Sequence, residues 1–116
     1  MCWKVETTYT LARLGVGLPA IEAVIRNLPA IQRAHEAECS WPDPIASAYA
    51  KAGDRAWARL CRAMERWQSG FTLARQGDPR GACVILTVDG VEHRLGAPGF
   101  TLAQVGRLDE YRAGAL

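Results

Sequence analysis

An amphipathic segment at about residues 54–68 restricts the fold more than any other feature of the chain. Its apolar residues recur every three or four positions, namely Trp57, Leu60, Cys61, Met64 and Trp67. This spacing places them on one face of an α-helix and predicts a long central helix with that face in the core. Arginine recurs at the same spacing on another face of that helix, at Arg55, Arg59, Arg62 and Arg66.

Short helices are expected before this segment. Residues 18–27 have an apolar helical stripe and Pro19 in the first turn, and Pro29 is expected to interrupt the helix and open a second one that runs to about residue 38. Thr10 is a candidate N-cap, with Tyr9 packing on Leu14 as a hydrophobic staple.

Capping signals divide the next stretch as well. Asp43 and Pro44 are suited to the N-cap and first position of a helix that reaches about residue 52. Gly53 is expected to end it, and Asp54 to cap the central helix.

The pattern changes from helical to strand-like after residue 70. Residues 71–76, 82–88 and 91–95 read as three antiparallel strands, and Asp89-Gly90 is a two-residue hairpin turn. That turn places Val88 opposite Val91, and the same face then carries Leu86, His93, Val84 and Leu95 toward the helices. The other face, with Ile85, Glu92 and Arg94, is expected to be wetter.

A final helix is expected at 101–112, with Thr101 and Gln104 as a capping box and Phe100 packing on Val105. The predicted class is therefore α+β. We expect a single domain over residues 1–116, with N-terminal short helices, a long amphipathic central helix, a three-stranded antiparallel meander and a C-terminal helix.

Charge is distributed unevenly along the chain. The formal net charge is only +2, but residues 51–80 hold seven basic and three acidic residues, a local net charge of +4. The four arginines of the central helix, extended by Lys51, form a face suited to carboxylates or phosphates because each guanidinium can donate two parallel hydrogen bonds. Trp41, in a proline-flanked loop, is a candidate anchor because tryptophan and arginine dominate binding hot spots. A solvated helix face is the plain alternative.

Residues 10–27 resemble a helix-turn-helix motif. Leu11 and Leu14 match its first helix, Gly15 its turn, and Ile21 and Val24 the buried side of its second helix. The resemblance implies DNA binding, but the would-be recognition helix starts Leu18-Pro19-Ala20 and offers Glu22, Arg26 and Asn27, whereas arginine, glutamine, asparagine or serine near its start reads bases. A plain helical hairpin explains the same pattern.

Catalytic and metal-binding patterns are weak. His35 and Cys39 have the spacing of a zinc-ligand pair or a nucleophilic dyad, but two further ligands would be required. Cys83 and His93 point to opposite faces of the predicted hairpin. We therefore predict no enzyme activity, no metal site and no cofactor.

The expected protein is a non-catalytic interaction protein that docks the arginine face on an acidic surface of a host or phage protein complex. A compact domain with one charged face resembles, by profile, small phage or mobile-element inhibitors, among them anti-CRISPR proteins. No membrane segment and no export signal are recognised, so a cytoplasmic location with reduced cysteines is expected. The alternative function is nucleic-acid binding, through the arginine face or residues 10–27.

Overall fold

The structure, a computed structural model, describes residues 3–40, 42–75 and 84–96. Its elements in chain order are α1 (Trp3–Arg13), α2 (Leu18–Ser40), α3 (Asp43–Trp67), β1 (Phe71–Arg75), β2 (Val84–Val88) and β3 (Val91–Leu95). These three helices and the three-stranded antiparallel sheet confirm the α+β class. The C-terminal helix predicted at 101–112 lies outside the described residues.

Helix α1 begins at Trp3, so the prediction that Thr10 is an N-cap is wrong. Thr10 lies in the last turn of α1, and Tyr9 points to solvent instead of forming a staple. The helix ends at Arg13 and is followed by a turn at Gly15, whose φ of 81° is the left-handed conformation that glycine adopts without strain. The Gly15 N–H donates to the Ala12 carbonyl and the Val16 N–H to the Leu11 carbonyl, which is the Schellman pattern.

Helix α2 is a single helix of 23 residues, so the predicted interruption at Pro29 is wrong. Proline cannot donate to the carbonyl of Ile25, and one hydrogen bond of the helix ladder is lost. The helix continues because residues on both sides of Pro29 are buried in the same core. Val24 and Leu28 are completely buried, and Ile31 is nearly so.

Helix α3 is also continuous, over 25 residues, so the predicted break at Gly53 and the N-cap at Asp54 are wrong. The N-cap is Pro42, and Asp43 and Pro44 occupy the first turn. Gly53 is buried against α2, where a Cβ atom would overlap the Ala34 side chain. The glycine therefore permits a close helix–helix contact instead of ending a helix.

Helices α2 and α3 form an antiparallel hairpin. Near its tip Gly53 meets Ala34, and at its open end the Gly17 N–H donates to the Gln68 Oε1 at 3.0 Å. These two contacts fix which residues of the helices lie level with each other. Arg26, for example, lies level with Arg59, because Arg26 is nine residues after Gly17 and Arg59 is nine residues before Gln68.

The sheet has the order β1-β2-β3, and the predicted hairpin register is confirmed. Val88 pairs with Val91, Leu86 with His93 and Val84 with Leu95. Asp89 and Gly90 both have positive φ, 50° and 78°, as a type I′ turn requires.

The core lies between the helices and one sheet face. Val84, Leu86 and Leu95 are buried there, as predicted, with the helix residues Leu11, Leu28, Ile31 and Leu60. Ile85, expected on a wetter face, is also buried at 3% exposure, although its neighbours across the sheet, Ala74 and Arg94, are exposed. The prediction for Ile85 is therefore wrong. Ile85 lies on β2, the middle strand of the sheet, and its burial is favoured because it removes apolar area from water.

Candidate anion-binding groove

The arginine face of α3 consists of Arg55, Arg59, Arg62 and Arg66, all exposed. Because α3 is one unbroken helix, these side chains start from Cα atoms that span about 16 Å along the helix axis. None of the four forms an ion pair with a carboxylate within the part of the chain that the structure describes. The face therefore carries four like charges that repel one another, and Glu65 on the same helix offsets them only in part because it is not in ion-pair contact with any of them.

A groove of about 690 Å³ runs along the α2–α3 hairpin. Five of its twelve lining residues are alanines, and the others include three arginines and Trp67. The residues that line it are Pro19, Glu22, Ala23, Arg26, Asn27 and Ala30 of α2 and Ala52, Arg55, Ala56, Arg59, Ala63 and Trp67 of α3. Both helices thus contribute, and small side chains leave the space between them open.

Cations from the two helices meet at this groove. Arg26 approaches it from α2, and Arg55 and Arg59 approach it from α3. Glu22 is the acid in the lining, so the groove carries three positive charges and one negative. Asn27, 7% exposed, is held in the wall because its Nδ2 donates to the Ala23 carbonyl at 2.9 Å.

Trp67 is exposed, which corrects the prediction that it lies in the core. The side chain is 51% exposed, and the guanidinium of Arg66 lies 4.9 Å from its ring centroid. Trp67 lies on the same face of α3 as the core residues. It is exposed because it is at the end of α3, level with Leu18, where α2 begins and offers no preceding turn to cover the indole. The ring instead lines the open end of the groove.

The other residues of the predicted stripe are buried to different degrees. Leu60 and Met64 are in the core, as predicted, whereas Trp57 and Cys61 are only half-buried. Their phase on α3 turns them toward β1 and away from the centre of the core.

The side of α3 that faces β1 has a different electrostatic arrangement. Arg75 of β1 forms an ion pair with Asp54 of α3, with 2.7 Å between Nη1 and Oδ1. The Arg75 guanidinium also lies 5.7 Å from the Trp57 ring centroid. Arg75 therefore joins the sheet to α3, and its charge is offset within the fold.

Lys51 and Trp41 were also predicted to contact a partner. Lys51 is exposed on α3, one helical turn before Arg55, but it does not line the groove. Trp41 lies outside the described residues, so its prediction as an anchor stays a prediction.

The helix-turn-helix expectation concerns α1, the turn after it and the start of α2. Leu11, Ile21 and Val24 are buried and Gly15 is in the turn, as the motif requires. The exposed residues at the start of α2 include Leu18, Pro19 and Glu22, which carry no base-reading donor. This burial pattern is common to the motif and to a plain helical hairpin, and the first turn of α2 carries no basic or amide side chain.

Cys61 is a half-buried free thiol on α3. Partial burial and the nearby Glu65 carboxylate raise the pKa of the Cys61 thiol, and Arg75 opposes this shift. His93 is half-buried opposite Leu86. The Cys39 side chain and Cys83 lie outside the described residues, so the pairs His35–Cys39 and Cys83–His93 stay untested. Within the described residues no group of three or more candidate ligands could hold a metal.

Sequence reasoning missed the contribution of Arg26 to the arginine-rich surface. It was considered only as part of a recognition helix, because 33 positions separate it from Arg59. The available signal was the hairpin itself: two antiparallel helices joined by a short turn near residue 42 place residues 26 and 59 level.

Comparisons with known proteins give no assignment. No protein-family model matches the chain, and neither the curated proteins nor the solved structures yielded a match. Within the described residues, none of the helices combines the length and the apolar character needed to span a bilayer.

Proposed function

We propose that this protein is a non-catalytic interaction protein that docks the arginine face of α3 on an acidic surface of a larger protein complex. The observation that carries the proposal is that these four exposed arginines have no carboxylate partner among the described residues. Carboxylates of another protein would relieve the repulsion between the guanidiniums and accept bidentate hydrogen bonds.

The proposal extends to the biological role. The protein would block or adapt a host or phage complex, in the manner of small phage or mobile-element inhibitors such as anti-CRISPR proteins. What supports this part is the profile of a small domain whose most distinctive surface is one charged face.

Charge reversal on the arginine face tests the proposal. The double variant Arg59→Glu/Arg62→Glu should keep the circular dichroism spectrum and lose the captured complex in an affinity pull-down from host lysate treated with nuclease. Arg13→Glu/Arg33→Glu is the matched control, because both variants change the net charge from +2 to −2 and all four positions are exposed. Unchanged capture by the Arg59/Arg62 variant would refute a role for this face.

Nucleic-acid binding is the alternative function. It is favoured by one observation, the arrangement of α1, its glycine turn and α2, and opposed by Leu18 and Glu22 at the start of α2. Binding to phosphates releases counterions, so affinity would fall by a factor of about 10³ or more between roughly 50 and 200 mM salt if six or more phosphates were contacted. Capture that disappears with nuclease and shows this salt dependence would favour the alternative.

A further inference from the structure

We propose that the α2–α3 groove is the docking site for an acidic amphipathic peptide segment of the partner, whose carboxylates meet Arg26, Arg55 and Arg59. This inference rests on the proposed function and makes it more specific. It assigns the contact to the groove between the two helices, instead of to the whole length of the arginine face.

The surface of the groove favours a peptide over a nucleic-acid backbone. Four of its five alanines are partly exposed, and together with Pro19 they offer apolar surface for small aliphatic side chains, whereas Ala56 is buried. A sugar-phosphate backbone has little apolar surface to bury there, whereas an amphipathic peptide gains from burying its apolar side. The volume of about 690 Å³ has room for several side chains.

The charged edge selects acidic side chains. Arg26 lies on one wall, and Arg55 and Arg59 lie on the other, so a carboxylate between the walls can accept hydrogen bonds from both helices. The three arginines and Glu22 together give the groove lining a net charge of +2, so basic ligand residues are disfavoured there.

The two ends of the groove differ, which orients the ligand. The antiparallel register places Glu22 near Ala63, toward the end where Trp67 is 51% exposed. Carboxylates are repelled from that end by Glu22. An aromatic or aliphatic ligand residue is therefore expected against the Trp67 indole, with the carboxylates farther along the groove beside the three arginines.

Selection from a random peptide library displayed on phage tests the inference. The library displays peptides of roughly 16 residues, about four helical turns, and the full chain is the bait. Enriched peptides should combine several Asp or Glu residues with aliphatic or aromatic ones. Their binding should change the tryptophan fluorescence of the protein, and this change should be absent in the Trp67→Phe variant.

Two pairs of variants separate the groove from the rest of the face. Arg55→Gln/Arg59→Gln should weaken an enriched peptide at least about tenfold, and Lys51→Gln/Arg62→Gln, with the same loss of charge on the part of the face outside the groove lining, should weaken it by a clearly smaller factor. Arg13→Gln/Arg33→Gln, at exposed positions away from the face, is the control for loss of charge alone. Ala63→Leu fills the groove without changing charge and should also cost about tenfold, whereas Ala58→Leu at an exposed position outside the lining should cost nothing.

The outcomes distinguish this inference from the proposed function. Equal losses in the Arg55/Arg59 and Lys51/Arg62 variants, or full binding by Ala63→Leu, would overturn the groove while leaving the arginine face as the contact. Enrichment of peptides without acidic residues, or failure to enrich any peptide, would also overturn it. Tighter, Ala63-dependent binding of a single-stranded or duplex DNA of about 20 nucleotides would assign the groove to nucleic acid instead.

Discussion

Arginine side chains lie on two sides of α3, and their surroundings differ. On the side facing β1, Arg75 is held by Asp54 at 2.7 Å and by the Trp57 ring. On the groove side, Arg55 and Arg59 face Arg26 across a surface of alanines, with no carboxylate of the described residues in ion-pair range. The first arrangement pairs a cation with an acid of the fold, whereas the second has no such acid partner among the described residues.

This difference separates cations that stabilise the chain from cations that are available for binding. A charge that is already compensated gains little from a ligand and contributes modestly to folding. Uncompensated like charges on one helix face destabilise it slightly, and that small cost is consistent with a function at the same place.

Replacing Gly53 with valine should have the largest effect. A side chain at this position overlaps Ala34, so α2 and α3 would have to separate along the whole hairpin. We expect the free energy of unfolding, measured by urea denaturation, to fall by about 3 kcal/mol. Ala58→Val, at an exposed position of the same helix, is the control and should cost only about 0.5 kcal/mol.

A loss for Gly53→Val no greater than that of Ala58→Val would contradict the close approach of the two helices. The groove geometry would then also be in doubt, because the same approach sets the level of Arg26 relative to Arg59.

Gly53 also shows why the sequence predicted the sheet better than the helices. The Asp89-Gly90 turn and the alternating strands specify the register locally, and the structure has that register. For the helices, Pro29, Gly53 and Asp54 are local stop or start signals, but long-range burial outweighs them. Whether a glycine ends a helix or admits a neighbouring helix depends on a residue 19 positions away, Ala34.

Removing the acid of the internal ion pair should have a smaller effect. The Arg75 and Asp54 side chains are 33% and 68% exposed, so solvent screens their attraction. Asp54→Ala should lower the free energy of unfolding by about 0.5 kcal/mol in urea denaturation. Glu65→Ala, at an exposed acid of the same helix that has no ion-pair partner among the described residues, should be near neutral. Equal effects for the two variants would mean that the Asp54–Arg75 pair does not stabilise the fold.

The thiol of Cys61 reports on the same side of α3. Burial and Glu65 raise its pKa, so at pH 8 Cys61 should react with iodoacetamide more slowly in the folded protein than in the urea-unfolded chain. Arg75→Gln should slow the folded reaction further because it removes a favourable charge. Mass spectrometry of the peptide that contains Cys61 gives the rate. Faster reaction in the folded state would contradict the direction of the shift.

The same pKa shift affects stability with a definite sign. The unfolded chain releases the thiol proton at lower pH than the folded chain, because the folded thiol has the higher pKa. The contribution of Cys61 to stability is therefore fully present below the ordinary thiol pKa and declines as the pH rises through the folded pKa. Cys61→Ala should remove this dependence from the urea midpoint measured across the alkaline range.

The candidate site was only half predictable from the sequence. The spacing of Arg55, Arg59, Arg62 and Arg66 fixes a common helix face, because helical periodicity is local information. Arg26 and the alanine-lined surface join that face only through the hairpin register, which depends on tertiary packing. Trp67 was misplaced for the same reason, since its exposure follows from where α2 begins.

Neutralising the groove arginines should have the smallest effect on folding. Arg55→Gln/Arg59→Gln removes like charges that no acid of the described residues compensates, so the free energy of unfolding should change by less than about 0.5 kcal/mol and could rise. Arg75→Gln, which breaks the ion pair with Asp54, provides the comparison within the same protein. Urea denaturation at low salt should rank Arg75→Gln as the more destabilising substitution, although it removes one charge and the other variant removes two. If the double variant were the more destabilising, the two groove arginines would be part of the scaffold. The case for a ligand at the groove would then lose its electrostatic basis, because the cations would already have compensating interactions within the chain.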